Sequence, residues 1–312
     1  MIIRPPSLEL GDTIALVAPA SKVDPLEAFR CVKNLQAEGF QVKLVGCLDT
    51  AYGYFSDRDT NRAKNLMKAF QDEEVKAIWC LRGGYGSGRI LDQLDYQAIR
   101  SCPKILIGMS DITALHTAIT QRAGLITYLG PNAHFLFAHP EEKERSFAKQ
   151  HVWHCLQDKN WEKITCMGEE TLTPGKAVGA LTGGNLSVLA SHVGTPWQID
   201  TKDKILLLED VGEYTYRIDR LLLQLKQATL LDHVAGVVLG HFSDCRSKHA
   251  HDFDVIDILK DYFACAPYPV LSGLSSGHIE AQLTLPLGHQ ADLDATAKTL
   301  SIDITKPIKI GE

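Results

Sequence analysis

The chain has 312 residues, of which 45% are hydrophobic and 22% charged, and its formal net charge is −6 at pH 7. A chain of this length and composition buries a large core, which excludes intrinsic disorder and small disulfide scaffolds. The weak acidic excess, 38 Asp and Glu against 32 Lys and Arg, argues against a surface built for nucleic acid or anionic membrane. The length predicts about two domains.

In the first half of the chain, short apolar segments alternate with amphipathic ones. Asp24 followed by Pro25 is typical of a helix cap and a first helical residue. This alternation predicts a parallel, doubly wound sheet. The predicted strands are 13–18, 41–45, 75–81 and 104–108, and the predicted helices are 25–39, 57–72 and a stretch that ends near 123.

The second half begins with a charged helix at about 140–159 and a connecting segment up to Pro174-Gly175. A second alternating unit follows, so we predict an N-terminal α/β domain at 1–150, a linker at 151–175 and a C-terminal α/β domain at 176–312. Its predicted strands are 177–181, 204–208, 234–239 and 268–271, its helices lie near 185–192, 216–226 and 253–264, and terminal strands fall within 282–304.

The loop Arg82-Gly83-Gly84-Tyr85-Gly86-Ser87-Gly88 contains four glycines and directly follows a predicted strand. Glycine permits positive φ and leaves backbone N–H groups uncovered, so such a loop can cradle a phosphate or form an oxyanion hole. The loop matches neither a P-loop nor Gly-x-Gly-x-x-Gly in a first βα unit. A tight turn without a chemical role is the simpler alternative.

The segment Gly108-Met109-Ser110-Asp111 marks a sharp change from strand to helix. A serine on such a turn is exposed above the sheet, and the N–H of the next residue can stabilise an oxyanion. The segment is not Gly-x-Ser-x-Gly, and Ser110 or Asp111 acting only as a helix cap is the competing interpretation.

A serine nucleophile needs a base, and the base needs an orienting acid. Glu209 and Asp210 follow the predicted strand at 204–208, and His278 lies in the small-residue loop Gly273 to His278. Each taken singly is more often an ordinary surface residue. Because three loop-end candidates occur together with Ser110, the sequence favours a hydrolase.

The histidines and cysteine at His241, Cys245, His249 and His251 raise the alternative of a metal site. Their spacing matches no familiar ligand pattern, and the chain has no His-Glu-x-x-His motif. We therefore predict neither a metal nor another cofactor.

The location follows by elimination. The first residues lack the ordered regions of a secretory signal, and the longest apolar runs have strand length rather than the ~20 residues of a membrane span. Eight scattered cysteines without a Cys-x-x-Cys pair predict reduced thiols. We expect a cytoplasmic protein without nucleic-acid or membrane partners.

Four motifs in order resemble the LD-carboxypeptidases, which are muramoyltetrapeptide carboxypeptidases, serine peptidases of murein recycling. The resemblance runs essentially from Thr13 to the last strands. It agrees with a fold composed of an N-terminal doubly wound parallel sheet, flavodoxin-like or glutamine-amidotransferase-like, and a second C-terminal α/β domain. The motifs are Arg82-Gly83-Gly84-Tyr85-Gly86, Gly108-Met109-Ser110-Asp111, Leu208-Glu209-Asp210 with Tyr216-Arg217-Ile218-Asp219-Arg220, and Gly277-His278.

The resemblance implies a Ser–His–Glu triad in which Ser110 is the nucleophile, His278 the general base and Glu209 the residue that orients the imidazole. The backbone N–H groups of Gly84 and Asp111 would form the oxyanion hole. The first domain would thus carry the nucleophile and the second the other two residues.

The family acts on the amide between a D-centre of meso-diaminopimelate and a terminal D-alanine, without a metal, and is usually a cytoplasmic homodimer. The resemblance therefore implies a small muropeptide as substrate. Arg82 and Gly83 are candidate substrate-binding residues, with Arg82 placed to attract the free carboxylate. Met109 stands where an aromatic residue is more usual, a departure that bears on substrate detail.

Two alternatives remain open. An immunity-type hydrolase similar to the microcin self-immunity proteins would share the triad and cleave a peptidyl-nucleotide, but it would need additional aromatic residues in a loop, and no long insertion follows Asp210. A non-catalytic sugar or nucleotide binder would leave Ser110, Glu209 and His278 without a shared purpose.

Overall fold

The computed structural model describes residues 2–139, 145–157 and 163–303. These form two compact α/β units. One contains the described residues up to 157 together with 283–286, and the other contains 163–282 and 287–303.

The elements alternate along most of the chain. The strands are β1 Thr13–Val17, β2 Gln41–Leu44, β3 Val75–Cys80, β4 Ile105–Gly108, β5 Thr127–Leu129, β6 Ile164–Met167, β7 Glu170–Thr173, β8 Lys176–Asn185, β9 Lys204–Val211, β10 Gly236–Ser243, β11 Val270–Ser272, β12 Leu285–Leu287, β13 Gln290–Asp294 and β14 Thr299–Ile302. The helices are α1 Pro25–Ala37, α2 Asp59–Gln71, α3 Tyr96–Ser101, α4 Thr113–Arg122, α5 Ala133–Phe137, α6 Ser146–Gln157, α7 Leu186–Ser191, α8 Thr215–Gln227 and α9 Val255–Phe263.

The sheet of the first unit has the order β12-β5-β4-β3-β1-β2, and strands β1 to β5 pair in parallel. This confirms the predicted doubly wound parallel sheet. The chain proceeds in one direction from β1 to β2 and in the other from β3 to β5, so the order reverses between β1 and β3. Ligands bind at such a reversal, beyond the carboxyl ends of the strands.

Local sequence explains why α1 begins where it does. The Asp24 carboxylate caps α1 by accepting the Leu26 N–H at 2.8 Å and the Glu27 N–H at 3.3 Å, and Pro25 occupies the first helical position. The helix then buries Ala28, Cys31 and Leu35, a helical spacing that turns one face to the sheet.

The edge of the first sheet is completed by a segment from near the end of the chain. Thr284 donates its N–H to Nδ1 of His151 at 3.1 Å, and its carbonyl accepts a hydrogen bond from the Cys155 thiol at 3.1 Å. Burial lowers the pKa of His151 to about 4, so its imidazole is neutral and its Nδ1 remains an acceptor. Both partners of Thr284 lie in α6, which ties this segment to the first unit.

The sheet of the second unit is mixed, with the order β6-β14-β13-β8-β9-β10-β11-β7. Its centre, β8 to β11, is parallel, and antiparallel strands flank both sides. Helix α8 packs on an apolar cluster through Ile218, Leu222 and Leu225. This confirms a second α/β domain.

The segment predicted as a linker at 151–175 carries regular structure in its described part. Residues 151–157 end α6, and β6 and β7 form on either side of Gly168. Residues 158–162 lie outside the described residues, as do 140–144 of the predicted helix at 140–159. β6 and β7 are short, and each pairs with a strand that is remote in sequence, so local pattern does not reveal them.

No helix in the described part of the chain is both long and apolar enough to cross a membrane.

Replacing Leu206 with alanine should lower the free energy of unfolding by about 2–5 kcal/mol, because buried methyl groups are lost and a cavity remains. Leu206 lies in β9 and is 0% exposed within the apolar cluster of the second unit. Urea unfolding followed by circular dichroism measures the change. Leu223→Ala on α8 is the matched control. This side chain is 42% exposed, so the change should stay within about 0.5 kcal/mol. Equal losses in the two variants would contradict this prediction.

Candidate active site

Ser110 lies on a strained turn at the carboxyl end of β4. Met109 is extended, with φ −147° and ψ −177°, and Ser110 then takes a φ of 65°. A 3-10 turn, Ser110–Ile112, leads directly into α4. Left-handed backbone at a non-glycine residue costs on the order of 1–3 kcal/mol and persists only where its surroundings enforce it. This strand, strained turn and helix make up the geometry that presents a serine nucleophile.

The glycine-rich loop after β3 passes directly against this turn. A Cβ atom on Gly83 would lie 2.9 Å from the Cβ and 3.2 Å from the Oγ of Ser110, so no larger residue fits. Gly84 has a φ of 93°, and a side chain there would overlap that of Ser21. The glycines thus allow both the approach of the loop and its conformation.

Ser87 and Asp111 fasten the loop to the turn through reciprocal hydrogen bonds. The Asp111 carboxylate accepts the Ser87 N–H at 2.7 Å, and the Ser87 hydroxyl donates to the Asp111 carbonyl. Both residues are buried. Ser21 holds the other side of the loop, since its Oγ accepts the Tyr85 N–H at 3.0 Å and its N–H donates to the Gly83 carbonyl at 3.2 Å.

The N–H groups of Gly84 and Asp111 therefore belong to two segments that are tied together. The Asp111 N–H lies in the first turn of a helix, where backbone N–H groups lack intrahelical acceptors. Donors of this kind can stabilise a developing oxyanion. The structure thus brings Gly83, Gly84, Ser110 and Asp111 together in the first unit.

Asn132 supports the same turn, although it is not among the residues predicted from the sequence. Its Oδ1 accepts the Met109 N–H at 3.2 Å, and a Cβ on Gly108 would lie only 3.0 Å from that oxygen. The buried amide thus continues the hydrogen bonding of β4 for one residue beyond its end. The available signal was the polar residue in Gly130-Pro131-Asn132, which directly follows β5 at the same sheet edge.

His116 is a second buried support beneath the turn. Burial lowers the pKa of His116 to about 4, so the imidazole is neutral near pH 7. Its Nε2 lies 2.8 Å from the Gly108 carbonyl oxygen, which can only accept, so this nitrogen carries the proton. His116 therefore holds the strand end rather than acting as a base.

The second unit brings Glu209 and His278 together. His278 Nδ1 donates to Glu209 Oε2 at 2.9 Å. The carboxylate is 1% exposed, whereas the imidazole side chain is 25% exposed. A neutral histidine that donates from Nδ1 has its lone pair on Nε2, the arrangement required of a general base.

Two glycines make room for the carboxylate of Glu209. Gly277 has a φ of 123°, and a Cβ there would lie 3.1 Å from Glu209 Oε2 and 3.0 Å from the His241 carbonyl. A Cβ on Gly240 would lie 3.2 Å from that of Glu209. The His241 N–H donates to the Ser276 carbonyl at 2.8 Å, so the loop preceding His278 is fixed against β10.

Asp210 serves a different purpose from its neighbour. β9 continues to Val211, beyond the predicted end at 208, so Glu209 and Asp210 point to opposite faces of the sheet. Asp210 accepts hydrogen bonds from the Asn185 amide at 3.0 Å and from the Ser187 N–H and hydroxyl at 2.9 and 2.7 Å. It anchors the start of α7.

Two further candidates from the sequence are the substrate-binding residue Arg82 and the group of histidines and a cysteine at 241–251. Arg82 is exposed on the glycine-rich loop and forms no ion pair with a described carboxylate. Among residues 2–139, 145–157 and 163–303, no group of three or more His, Cys, Asp or Glu side chains could hold a metal ion. His241, Cys245, His249 and His251 lie within these ranges.

Models of known protein families match both halves of the chain. The LD-carboxypeptidase N-terminal domain matches residues 14–130, and the LD-carboxypeptidase C-terminal domain matches residues 178–293. The chain belongs to the LD-carboxypeptidase family. The resemblance found in the four sequence motifs is thereby confirmed.

Named relatives align over nearly the whole chain. The probable murein peptide carboxypeptidase of Bacillus subtilis is 38% identical over 305 residues, 96% of this chain and 94% of the relative. The murein tetrapeptide carboxypeptidase of Pseudomonas aeruginosa is 35% identical over 292 residues, 90% and 92% of the two chains. The microcin C7 self-immunity protein MccF of Escherichia coli is 31% identical over 329 residues, 95% and 94%.

Solved structures give the same fold. MccF in complex with glutamyl sulfamoyl guanosine superposes with a TM-score of 0.88 at 25% identity, covering 98% of this chain and 99% of that one. A muramoyltetrapeptide carboxypeptidase from Oxalobacter formigenes superposes with a TM-score of 0.84 at 30% identity, covering 93% and 98%. The LD-carboxypeptidase fold therefore extends over both units.

Gly83→Ala should slow the reaction of Ser110 with a serine-directed fluorophosphonate by about tenfold to a hundredfold, because the new methyl group displaces the Ser110 hydroxyl. Time-resolved intact mass spectrometry measures the labelling rate. Gly11→Ala is the control: it introduces side-chain strain at a φ of 91° in the same unit with nothing within 4 Å. It should destabilise the protein without slowing the labelling. An unchanged rate in Gly83→Ala would refute this role for Gly83.

Proposed function

We propose that this protein is a serine carboxypeptidase that releases the terminal D-alanine of a murein tetrapeptide. Membership of the LD-carboxypeptidase family supports this class of reaction. The observation that carries the proposal is the buried Glu209 carboxylate bonded to His278 Nδ1, which leaves Nε2 as a base. Ser110, on its strained turn, is the nucleophile that such a base would serve.

In acylation, His278 Nε2 takes the hydroxyl proton of Ser110, and Oγ attacks the carbonyl carbon of the bond to D-alanine. The carbonyl oxygen becomes an oxyanion, which the N–H groups of Gly84 and Asp111 stabilise. Oxyanion donors of this kind contribute about 10²–10³ in rate each. The Glu209 carboxylate stabilises the imidazolium while it carries the proton.

Collapse of the tetrahedral intermediate breaks the C–N bond, and His278 gives its proton to the leaving amino group of D-alanine. The tripeptide is left as an ester of Ser110. His278 then takes a proton from a water molecule, whose oxygen attacks the ester. The second collapse returns the proton to Ser110 and releases the tripeptide.

Further assignments belong to the same proposal. Arg82 attracts the free carboxylate of the substrate, since it is an exposed cation one residue from Gly83. The N-terminal domain supplies the nucleophile and the C-terminal domain supplies the base and the acid. The resemblance to the family supports a cytoplasmic homodimer.

Ser110→Ala should abolish release of D-alanine from an LD-tetrapeptide, because no other group forms the acyl-enzyme. Mass spectrometry of the products measures the release, and thermal unfolding confirms that the variant is folded. Full activity of this variant would exclude the serine mechanism.

Glu209→Gln should lower kcat by roughly 10³–10⁴-fold, because the amide cannot stabilise the imidazolium and favours the wrong tautomer. Steady-state release of D-alanine measures kcat. When combined with Ser110→Ala, the substitution should cause no additional loss, since the residues act as one unit.

Asp210→Asn is the comparison on the same strand. It should mainly lower the free energy of unfolding, because it weakens the anchor of α7. A larger loss of kcat in Asp210→Asn than in Glu209→Gln would contradict the assignment.

A second function is favoured by the TM-score of 0.88 to MccF, which was solved with glutamyl sulfamoyl guanosine. It is hydrolysis of a peptidyl-nucleotide by the same three residues. The carboxypeptidase function is favoured because two relatives named as carboxypeptidases are 38% and 35% identical to this chain, whereas MccF is 31% identical. Incubating the protein with murein tetrapeptide and with an aminoacyl-nucleotide analogue separates the two activities.

A further inference from the structure

An arginine is buried against the glycine-rich loop of the first unit. Arg62 lies in α2, and only 1% of its surface is exposed. A guanidinium stays charged inside a protein, so an arginine is almost never fully buried unless its charge is paired and its N–H groups are hydrogen-bonded. The partners of this guanidinium therefore indicate which part of the fold it stabilises.

The Arg62 guanidinium donates hydrogen bonds to backbone carbonyls in three separate segments. Nη1 donates to the Gly86 carbonyl at 2.8 Å and also to the Pro19 carbonyl, and Nε donates to the Asp57 carbonyl at 3.1 Å. Pro19 follows β1, Asp57 precedes α2, and Gly86 belongs to the glycine-rich loop after β3. A planar guanidinium, with donors on several sides, suits such a junction, whereas the donors of a lysine all lie on one nitrogen.

A carboxylate balances the buried charge. Asp59 Oδ1 lies 2.5 Å from Arg62 Nη2, and Asp59 Oδ2 accepts a hydrogen bond from Arg89 Nε at 2.8 Å. Desolvation by burial would raise the pKa of Asp59, but the hydrogen bonds from the two arginines outweigh it and lower the pKa, so the group is ionised at neutral pH. The ion pair accounts for the charge of Arg62 but not for its three carbonyl contacts, so mutation can separate the two.

The glycine-rich loop lies so close to the arginine that no side chain fits at Gly86. This glycine has a φ of 130°, and a Cβ there would lie 2.9 Å from Arg62 Nη1 and 2.6 Å from the Phe55 ring. The guanidinium carbon itself lies over that ring, 4.8 Å from its centroid. Because Phe55 is also buried, the position of Gly86 is fixed by two buried groups.

The segments that Arg62 joins are those that hold the proposed oxyanion donor. Gly84 lies two residues before Gly86. Ser21 lies two residues after Pro19, and it is hydrogen-bonded to the glycine-rich loop on both sides of Gly84. Arg62 fixes the two segments to each other, since it binds a carbonyl in each. A glycine with a φ of 93° has no side chain to restrict it, so the direction of the Gly84 N–H depends on these external contacts.

We propose that Arg62 is a positioning residue for the reaction, which holds the Gly84 N–H in the direction that stabilises the oxyanion formed when Ser110 attacks. This inference rests on the proposed oxyanion role of Gly84 and adds a residue that acts only through the loop. An oxyanion donor acts mainly in the transition state, so loss of its position lowers kcat more than it raises KM. A residue that only supports the fold would change stability and leave the rate of the folded molecules unaltered.

The test compares Arg62→Lys with Asp59→Asn. Arg62→Lys keeps the positive charge and loses the branched set of donors, so kcat for release of D-alanine should fall by roughly tenfold to a hundredfold, with KM within about threefold of wild type. Asp59→Asn weakens the ion pair but keeps the guanidinium and its three carbonyl contacts. It should lower the midpoint of thermal unfolding and retain most of kcat.

Arg100→Lys is the matched control in the same unit. The Arg100 guanidinium donates to the Ala123 carbonyl at 2.7 Å, directly after α4 rather than in the glycine-rich loop. Its substitution should leave kcat unchanged. If Arg62→Lys does not fold, the double variant Arg62→Gln/Asp59→Asn removes both charges of the ion pair, and it should show the same fall in kcat.

The rate at which a serine-directed fluorophosphonate labels Ser110 tests the same point without peptide turnover, since oxyanion donors also stabilise negative charge on the phosphoryl oxygen. In Arg62→Lys, labelling should still reach one group per chain, with a rate constant at least about tenfold lower. A wild-type rate constant with a lower final extent of labelling would assign Arg62 to folding alone and overturn the proposal. A loss of kcat that is as large in Asp59→Asn as in Arg62→Lys would overturn it too.

Failure of this inference is distinguishable from failure of the proposed function. If wild-type protein is labelled at Ser110 but releases no D-alanine from a tetrapeptide, the carboxypeptidase function fails, and the labelling rates still decide the role of Arg62. If wild-type protein is neither labelled nor active, both proposals fail.

Discussion

The left-handed backbone of Ser110 is the constraint on which the first unit depends. A φ of 65° at serine is unfavourable by itself, so it requires neighbours that fix the chain on both sides. Asn132 holds the residue before it, and the Ser87–Asp111 pair holds the residue after it. The glycine-rich loop fits only because Gly83 has no side chain. The buried polar side chains of Asn132, Ser87 and Asp111 therefore hold the backbone on both sides of Ser110 in place.

The second unit buries a carboxylate that has few hydrogen-bond partners. The Glu209 carboxylate is almost completely buried, and in the described structure only its Oε2 has a hydrogen-bond partner, since Oε1 has none. Burying a carboxylate with so few partners is unfavourable for stability. Asp210, one residue along the same strand, is satisfied by several donors. The two neighbouring carboxylates therefore differ in how fully the fold supplies them with hydrogen-bond donors.

Much of this could be predicted from local sequence, because strands, caps and glycine turns have signals a few residues long. Ser110, Glu209 and His278 are predicted as polar residues at loop ends, and His278 Nδ1 donates to Glu209 Oε2 at 2.9 Å in the structure. Asn132 and Ser87 were not found, since their importance lies in hydrogen bonds to residues more than 20 positions away. The segment predicted as a linker contains β6 and β7, whose strand signals are not local for a related reason: their partners, β14 and β11, lie far along the chain.

The return of residues 283–286 to the first unit has a consequence for synthesis. The edge strand β12 and the Thr284 contacts to α6 are encoded after most of the second unit. During synthesis on the ribosome, the sheet of the first unit therefore lacks its edge strand β12 until more than 100 residues of the second unit have emerged. These residues include β8 to β11, the parallel centre of the other sheet. An open edge is a site for wrong pairing. Neither unit can be separated by a single cut in the chain, and a protein shortened before β12 would retain Ser110 but lack the strand that closes its sheet.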